Sequence, residues 1–320
     1  MTNDSEARLG AQVGKHLSAA AVEVTPEFVA TYIDRTADAN PWYVTDSPFG
    51  GPVAPATLFP SQAHDPTTDW YPANVYGNLH TKQEWWIFQP VMVGDQVQVT
   101  RSIVDRYTKR DREILVCEVN VTGEDGGLRT RSRTHQSFLR EDHGAPDAPL
   151  VDRGSVVEKS SAKGKAKRPP PGSGDVLERF GPVTRLVDLD LCNRYVGEGN
   201  SNYHNDAEAA KKLGFPGIVV QGTLAVSFLS ELMSQRFGVD WWRGGRLNVN
   251  FVNVLWSDES VDAKGVIRSY TPEGSRERAD CEIWTEKPDG TVTIVGTASV
   301  AVPDRQIDRP VTARRPDANP

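Results

Sequence analysis

The alternation of apolar and polar residues predicts a chain dominated by antiparallel strands. In the first half, residues 82–107 give a strand-like segment, a turn at Gly94-Asp95 and an alternating strand. Residues 112–139 give two further strands around the turn EDGG. Alternation with a period of two places one set of side chains on one face of a sheet, and short Gly-containing turns join strands as hairpins. The first half is therefore expected to form an antiparallel meander.

The second half repeats this order of elements. Residues 246–270 give a strand, a turn at Ser257-Asp258 and an alternating strand, and residues 276–302 give two strands around the turn PDG. Upstream, SPFGGPVAPATLF at 47–59 parallels LGFPGIVVQGTLAVSF at 213–228. Both contain an aromatic residue, a Gly turn, a short apolar run and a Thr-Leu pair. The internal repeat predicts a polar loop, one helix and a long antiparallel sheet in each half.

The expected fold class is α+β, with two tandem units in one chain. A sheet that wraps one helix is a two-layer unit, and two such units cover their sheet edges by packing as a pseudo-dimer. The predicted domains are an N-terminal unit at 1–141, a flexible Pro-, Gly- and Lys-rich linker at 142–175, a C-terminal unit at 176–304 and a tail at 305–320. The linker contains the basic run KGKAKRPPPG, which indicates a solvated segment.

Composition narrows the class of protein. The 320 residues are 38% hydrophobic and 25% charged, and no run of eighteen uncharged apolar residues predicts a membrane span. The N-terminus lacks the features of a secretory signal, so a cytoplasmic location is expected. A net charge of −7 argues against nucleic-acid binding. Cys117, Cys192 and Cys281 lack metal-site spacing and are expected to be reduced, packed thiols.

The densest group of candidate catalytic residues lies in GEGNSNYHNDAEAAKKLGFPGIVVQGTL, residues 197–224. This stretch resembles the signature of the MaoC-like, double hot-dog hydratases and dehydratases, the (R)-specific enoyl-CoA hydratase or hydratase 2 group. That signature is Gly-Asp-x-Asn-Pro-(Ile/Leu)-His-x-Asp, followed by a helix and an HG turn. The matching positions are Gly197, Asn200, His204 and Asp206, with one extra residue between Asn200 and His204.

Three positions depart from the signature. Glu198 stands where the Asp is expected, Ser201 replaces the Pro, and Gln221 replaces the His of the HG turn. The spacing of eighteen residues from His204 to Gly222 agrees with the family. The resemblance covers nearly the whole chain outside the linker and tail, and it implies a hot-dog fold for each half.

The resemblance implies reversible hydration of a trans-2-enoyl thioester to a 3-hydroxyacyl thioester. Such a reaction needs a base for the water, a proton donor for the α-carbon and donors for the enolate oxygen. By resemblance, His204 is the base, Glu198 is the partner acid/base and Gly222 donates its backbone N–H to the oxyanion. Asn200 would orient the carboxylate, and Thr223 would add a supporting hydroxyl. No metal or redox cofactor is implied, and coenzyme A enters only as part of the substrate.

The first half carries a degenerate copy of the motif. TADANPWYV keeps Asp38, Asn40 and Pro41 but has Tyr43 where the His would stand. Pro55 occupies the position of Gly222, and proline has no backbone N–H to donate. The first half is therefore expected to be catalytically silent, and by resemblance it shelters the acyl chain.

Several of these residues also have ordinary structural interpretations. Glu198 is equally explained as a solvated loop carboxylate, Asn200 as part of an Asx turn, Gly222 as a close-packing site and Asp206 as a helix N-cap. Asp38 could supply a carboxylate to His204 if the pseudo-dimer brought the two loops together. The remaining histidines, His16, His64, His80, His135 and His143, show no metal-ligand spacing. The pairs Trp85-Trp86 and Trp241-Trp242 are expected to be core or interface anchors.

Two rival functions stay open at this stage. The first is a hot-dog lyase that acts on an unusual acyl group or eliminates a group other than water. The second is a non-catalytic acyl-thioester binding subunit. Glu198 and His204 converging on one water would favour catalysis, and their divergence would favour binding. The expected partners are an acyl-CoA or acyl-carrier thioester and further copies of the chain in a homodimer or higher oligomer.

Overall fold

The computed structural model describes residues 13–59, 79–109, 112–139 and 169–303. In these residues it contains ten strands and five α-helices. The strands are β1 His16–Glu23, β2 Leu79–Ile87, β3 Gln96–Lys109, β4 Arg112–Gly123, β5 Leu128–Leu139, β6 Glu178–Val187, β7 Arg246–Phe251, β8 Glu259–Glu273, β9 Arg276–Glu286 and β10 Val292–Pro303. The helices are α1 Pro26–Thr36, α2 Leu189–Val196, α3 Ala207–Lys212, α4 Gly222–Phe237 and α5 Val239–Gly244.

All ten strands belong to one antiparallel sheet in the order β1-β3-β4-β5-β2-β7-β10-β9-β8-β6. The first five strands come from the N-terminal unit and the last five from the C-terminal unit. Read from its outer edge inward, each unit has the same order of strands, which confirms the internal repeat. The two halves join where β2 pairs with β7, from Lys82 opposite Asn250 to Trp86 opposite Arg246.

The predicted strands and turns are confirmed throughout the two meanders. Strands β2 to β5 and β7 to β10 fall on the segments with alternating patterns. The turns before β3 and β8 contain Gly94 at φ 98° and Asp258 at φ 65°, which are left-handed backbone conformations suited to a tight reversal. The GEDGG and KPDGT segments close the β4–β5 and β9–β10 hairpins through backbone bonds between Gly123 and Gly127 and between Lys287 and Thr291.

Helix α4 is the centre of the C-terminal unit. Thirteen of its sixteen residues are buried, and its apolar residues are spread around the helix rather than along one stripe. Such a helix lies inside the protein, and α4 contacts β6, β8 and β9 of the surrounding sheet. A sheet wrapped around a central helix is the expected α+β unit.

The expectation of a single helix in the second half is wrong. The AEAAKK run forms only the short α3, and α2 and α5 add further helical segments beside α4. In the first unit the described helix is α1. Residues 60–78, which follow the Thr-Leu pair where the second unit has α4, lie outside the described residues, as do linker residues 142–168 and the tail.

Aromatic residues of both units meet at Trp242, the final tryptophan of α5. Its ring lies 5.7 Å from Trp42, 6.5 Å from Tyr43 and 6.2 Å from Phe49, all measured between ring centroids. Its indole Nε1 donates a 3.0 Å hydrogen bond to the carbonyl oxygen of Ala54. A fully buried aromatic residue with its polar atom paired across the two units is a strong packing anchor.

The structure bears out the packing expectations for three of the four paired tryptophans and for the cysteines. Trp85 and Trp241 are buried like Trp242. Trp86 points to the opposite face of the sheet, beneath the Arg133 guanidinium. The three cysteines are buried and form no disulfide. None of the described helices combines the length and apolar content needed to cross a bilayer.

Replacing Trp242 should test the packing between the units. We expect Trp242→Ala to lower the free energy of unfolding by about 3–5 kcal/mol, because it opens a cavity and leaves the Ala54 carbonyl unpaired. Urea denaturation followed by circular dichroism measures the change. The exposed Val44→Ala is the control, with an expected change within about 0.5 kcal/mol. Equal stability of the two variants would contradict the anchoring role of Trp242.

Candidate active site

A cavity of about 110 Å³ lies between the two units, beside the N-terminus of α4. On the same measure a single water needs about 10–15 Å³, so the cavity has room for a water together with a small reacting group. Its polar lining includes His80, Gln136, Tyr203, His204, Gln221, Gly222, Thr223 and Asn253, and its apolar wall includes Val220, Phe251, Leu255 and Ile294. His80 and Gln136 come from the N-terminal unit, so both halves form the cavity.

The loop before α3 fixes the His204 ring in one tautomer. Nδ1 of His204 lies 2.7 Å from the carbonyl oxygen of Val219. A carbonyl oxygen only accepts hydrogen bonds, so the neutral ring carries its proton on Nδ1 and leaves Nε2 as the basic nitrogen. The backbone N–H of His204 donates to Asn202 Oδ1 at 2.8 Å, and the tilted Tyr203 ring contacts the imidazole with 3.9 Å between the ring centroids.

Burial keeps the imidazole of His204 neutral. It lowers the pKa to about 4, against the weaker, opposite effect of the hydrogen bond to Val219. Desolvation penalises the charged form of histidine because the imidazolium loses its hydration. His204 is therefore an unprotonated base at neutral pH.

Gly222 begins α4 at the wall of this cavity. The residue before it, Gln221, makes no side-chain capping hydrogen bond to the helix. The first N–H groups of a helix have no partner within the helix and carry a partial positive charge. A Cβ on Gly222 would lie 2.9 Å from the Phe251 ring and 3.0 Å from Nδ1 of His80. Glycine is thus required here for close packing, and it also leaves the helix N-terminus open to a ligand.

His80 lines the cavity, although the sequence pattern predicted no role for it. Its Nε2 lies 3.1 Å from the carbonyl oxygen of Lys82, and its ring packs on Phe251 at 4.4 Å. Burial lowers the pKa of His80 to about 4. Only the pairing of β2 with β7 brings this residue to the second unit's motif, and no local sequence signal reveals that pairing.

Glu198 does not join His204. It is exposed and lines a separate surface cavity with Asp34, Arg35 and Arg194. Gly197 at φ 91° and Gly199 at φ 75° flank it, and these left-handed conformations turn the loop outward. The one-residue insertion that sets this loop apart from the signature lies just downstream. The structure therefore does not support the predicted pairing of Glu198 with His204.

Asn200 and Thr223 also have structural partners. Asn200 is exposed, and its side-chain amide donates to the carbonyl oxygen of Val196 at 3.5 Å, a long bond that closes the loop. It does not orient a carboxylate. Thr223 lines the cavity, and its Oγ1 accepts a 2.8 Å hydrogen bond from the Tyr195 hydroxyl.

Asp206 is confirmed as the N-cap of α3. Its carboxylate accepts hydrogen bonds from the backbone N–H groups of Glu208 and Ala209 at 2.8 and 3.1 Å. The same carboxylate accepts a bond from Ser201, and these bonds lower the pKa of Asp206. Acidic residues at this position stabilise the exposed N–H groups of a helix.

Asp38 does not supply a carboxylate to His204. It is buried elsewhere, where it accepts a 2.7 Å hydrogen bond from the Tyr43 hydroxyl. It lines a different cavity together with Arg185 and Glu231. Burial raises the pKa of Asp38, and the Tyr43 bond partly opposes that rise. Glu231 forms an ion pair with Arg185 at 2.5 Å.

No group of three or more His, Cys, Asp or Glu side chains in the described residues is arranged to hold a metal ion. The expectation that the reaction needs no cofactor stays a prediction.

Sequence comparison relates the first unit to dehydratases. Residues 11–127 match the family model described as "FAS1-like, dehydratase domain region". The match covers the degenerate motif, His80 and strands β1 to β4. No curated protein matches the chain by sequence.

Solved structures extend the comparison to about nine-tenths of the chain. A MaoC-like dehydratase superposes with a TM-score of 0.69 at 17% identity, covering 92% of this chain and 99% of the other. A MaoC-like dehydratase from Phytophthora capsici gives 0.63 at 16% identity, covering 90% and 95%. A Mycobacterium tuberculosis protein described as having a double hotdog fold gives 0.54 at 11% identity, covering 92% and 99%.

The resemblance to MaoC-like dehydratases is confirmed at the level of the fold, which is a double hot-dog. The match to a dehydratase region in the first unit supports hydratase or dehydratase chemistry in general terms.

The half-buried, neutral histidines of the cavity predict a loss of stability in mild acid. The folded-state pKa of His204 is about 4, below the value of about 6.5 in the unfolded chain, so the unfolded state binds more protons between these values. Stability should fall as the pH drops from about 7 to 5. In His204→Gln this loss should be about 2 kcal/mol smaller than in the wild type.

Urea denaturation at both pH values measures this difference. Glu231 has the opposite effect, because burial and the charge of Asp38 raise its pKa to about 7. The comparison of wild type with variant removes the contribution of Glu231. Identical pH dependence in both proteins would show that His204 is not held neutral by burial.

Proposed function

We propose that the protein is a hydro-lyase that reversibly hydrates a trans-2-enoyl thioester to a 3-hydroxyacyl thioester. The observation that carries the proposal is the hydrogen bond from Nδ1 of His204 to the Val219 carbonyl oxygen. It leaves Nε2 as the base in a cavity that also contains Gly222 at the N-terminus of α4. The dehydratase-region match supports the same class of reaction.

In the hydration direction, Nε2 of His204 takes a proton from water as the water oxygen bonds to C3. The electron pair of the C2–C3 double bond moves toward the thioester carbonyl, whose oxygen becomes negative. The N–H of Gly222 and the positive end of α4 are suited to stabilise that oxygen. The imidazolium of His204 then returns its proton to C2. Burial favours this return, because it makes the protonated ring a stronger acid.

The carrier of the acyl group follows from the sequence resemblance, which implies coenzyme A. An acyl-carrier thioester presents the same reacting atoms. The small size of the cavity suits the thioester and the double bond rather than a whole acyl chain. The cytoplasmic location and the homo-oligomer stay predictions.

A second candidate is a non-catalytic acyl-thioester binding subunit. The observation that favours it is the separation of Glu198 from the His204 cavity, since the two residues line different cavities. Both candidates place the thioester at Gly222. They differ in whether the bound enoyl group is turned over.

Activity of the wild type and of His204→Gln on trans-2-enoyl-CoA thioesters of varied length and branching tests the proposal. We expect the wild type to consume the enoyl absorbance of at least one thioester. His204→Gln should lower kcat about 100- to 10,000-fold, the range for loss of a general base. Glu198→Gln is the control and should stay within about threefold of the wild type, because its side chain is exposed outside the cavity.

The remaining outcomes discriminate between the candidates. Binding of an enoyl-CoA without turnover would favour the binding subunit. An active His204→Gln variant would contradict the base assignment. Inactivation by Glu198→Gln would show that the loop rearranges to bring this carboxylate to the substrate.

A further inference from the structure

The proposed reaction needs more than one base in the cavity. A water that attacks C3 has two hydrogens, and His204 accepts only one of them. Fixing the direction of the attacking lone pair requires a second acceptor for the other hydrogen. The carboxylate expected in that role, Glu198, lies in a different cavity.

His80 presents a suitable acceptor. Because Nε2 faces the Lys82 carbonyl oxygen at 3.1 Å, the neutral ring carries its proton on Nε2 and keeps Nδ1 unprotonated. Nδ1 lies on the side of the ring that approaches Gly222. His80 and His204 line the same cavity, and burial, with smaller effects of His135 and His204, disfavours charge on His80.

The ring of His80 is also held firmly. It packs on Phe251, which belongs to β7 of the other unit. Rigid support of this kind is what a positioned acceptor needs.

Gln221 gives independent evidence that the cavity binds a ligand or water that donates hydrogen bonds. It is only 9% exposed, and its Oε1 has no hydrogen-bond partner among the described residues. A buried acceptor without a partner is costly unless a ligand or water fills the site. The unprotonated nitrogens of His80 and His204 and this oxygen give the cavity three acceptors.

We propose that His80, contributed by the N-terminal unit, is the second acceptor that holds the attacking water in the site of the C-terminal unit. The water donates one hydrogen to Nδ1 of His80 and loses the other as a proton to Nε2 of His204. Its oxygen forms the bond to C3, and the proton passes from His204 to C2, so one water is added in total. In the reverse direction, His80 accepts from the departing hydroxyl. This inference rests on the proposed hydration.

Two substitutions of His80 separate positioning from packing. Asn carries its polar atoms at the position of Nδ1, one bond beyond Cγ, whereas Gln carries them further out, near the position of Nε2. His80→Gln keeps a donor for the Lys82 carbonyl but removes the acceptor at Nδ1. His80→Asn keeps an acceptor at Nδ1.

We expect His80→Gln to lower kcat on the order of 100-fold with KM changed less than about threefold, because the water loses its orientation. The kcat of His80→Asn should be at least about tenfold higher than that of His80→Gln. The matched control is His135→Gln, which removes a buried histidine of the neighbouring strand β5 that does not line the cavity. Thermal unfolding of all three variants at pH 7 separates loss of function from loss of fold.

Each outcome bears on a different claim. Turnover by the wild type with both His80 variants within threefold of it would overturn the role of His80 and leave His204 as the base. Equal loss in the Gln and Asn variants, in folded protein, would also overturn it, because packing alone would explain that result. Absence of turnover by the wild type on every enoyl thioester would overturn the proposed function, and this inference with it.

Discussion

The pairing of β2 with β7 is the interaction on which the rest of the structure depends. Five residue pairs, from Lys82–Asn250 to Trp86–Arg246, join two five-stranded halves into one sheet. Each half alone would expose the N–H and C=O groups of an inner edge strand. Their pairing satisfies these groups and sets Trp85 opposite Leu247, both of which are buried. The register of this one strand pair therefore fixes how the two units are positioned relative to each other.

The candidate site lies where this pairing ends. His80 precedes Lys82, the first residue of β2 that pairs with β7, and Phe251 follows Asn250, the last residue of β7 that pairs with β2. Their rings pack together at the wall of the cavity, against Gly222. Beyond this point β2 and β7 no longer pair, and the cavity beside the N-terminus of α4 lies there. The pairing of β2 with β7 therefore determines where the cavity lies and which residues of the N-terminal unit face the N-terminus of α4.

The sequence predicts the repeated part of the fold well and the junction poorly. Alternation and turn residues such as Gly94 and Asp258 located eight of the ten described strands, because period-two patterning is a local property. The central α4 was not recognised as a helix by its pattern, because its apolar residues are spread around the helix and show little periodicity. His204 and Gly222 lie together as their motif predicts. Glu198 does not join them.

The shared cavity has an evolutionary consequence. In a dimer of identical single-unit subunits, the second wall of each site would come from the partner subunit. Every substitution would then change both sites. Here the duplicated halves have separate sequences, so the wall that contains His80 can change without altering the strand that contains Phe251. The first half, which has Tyr43 where the motif has His and Pro55 where the second half has Gly222, is predicted to be catalytically silent. A chain of this kind would keep one site for each pair of units.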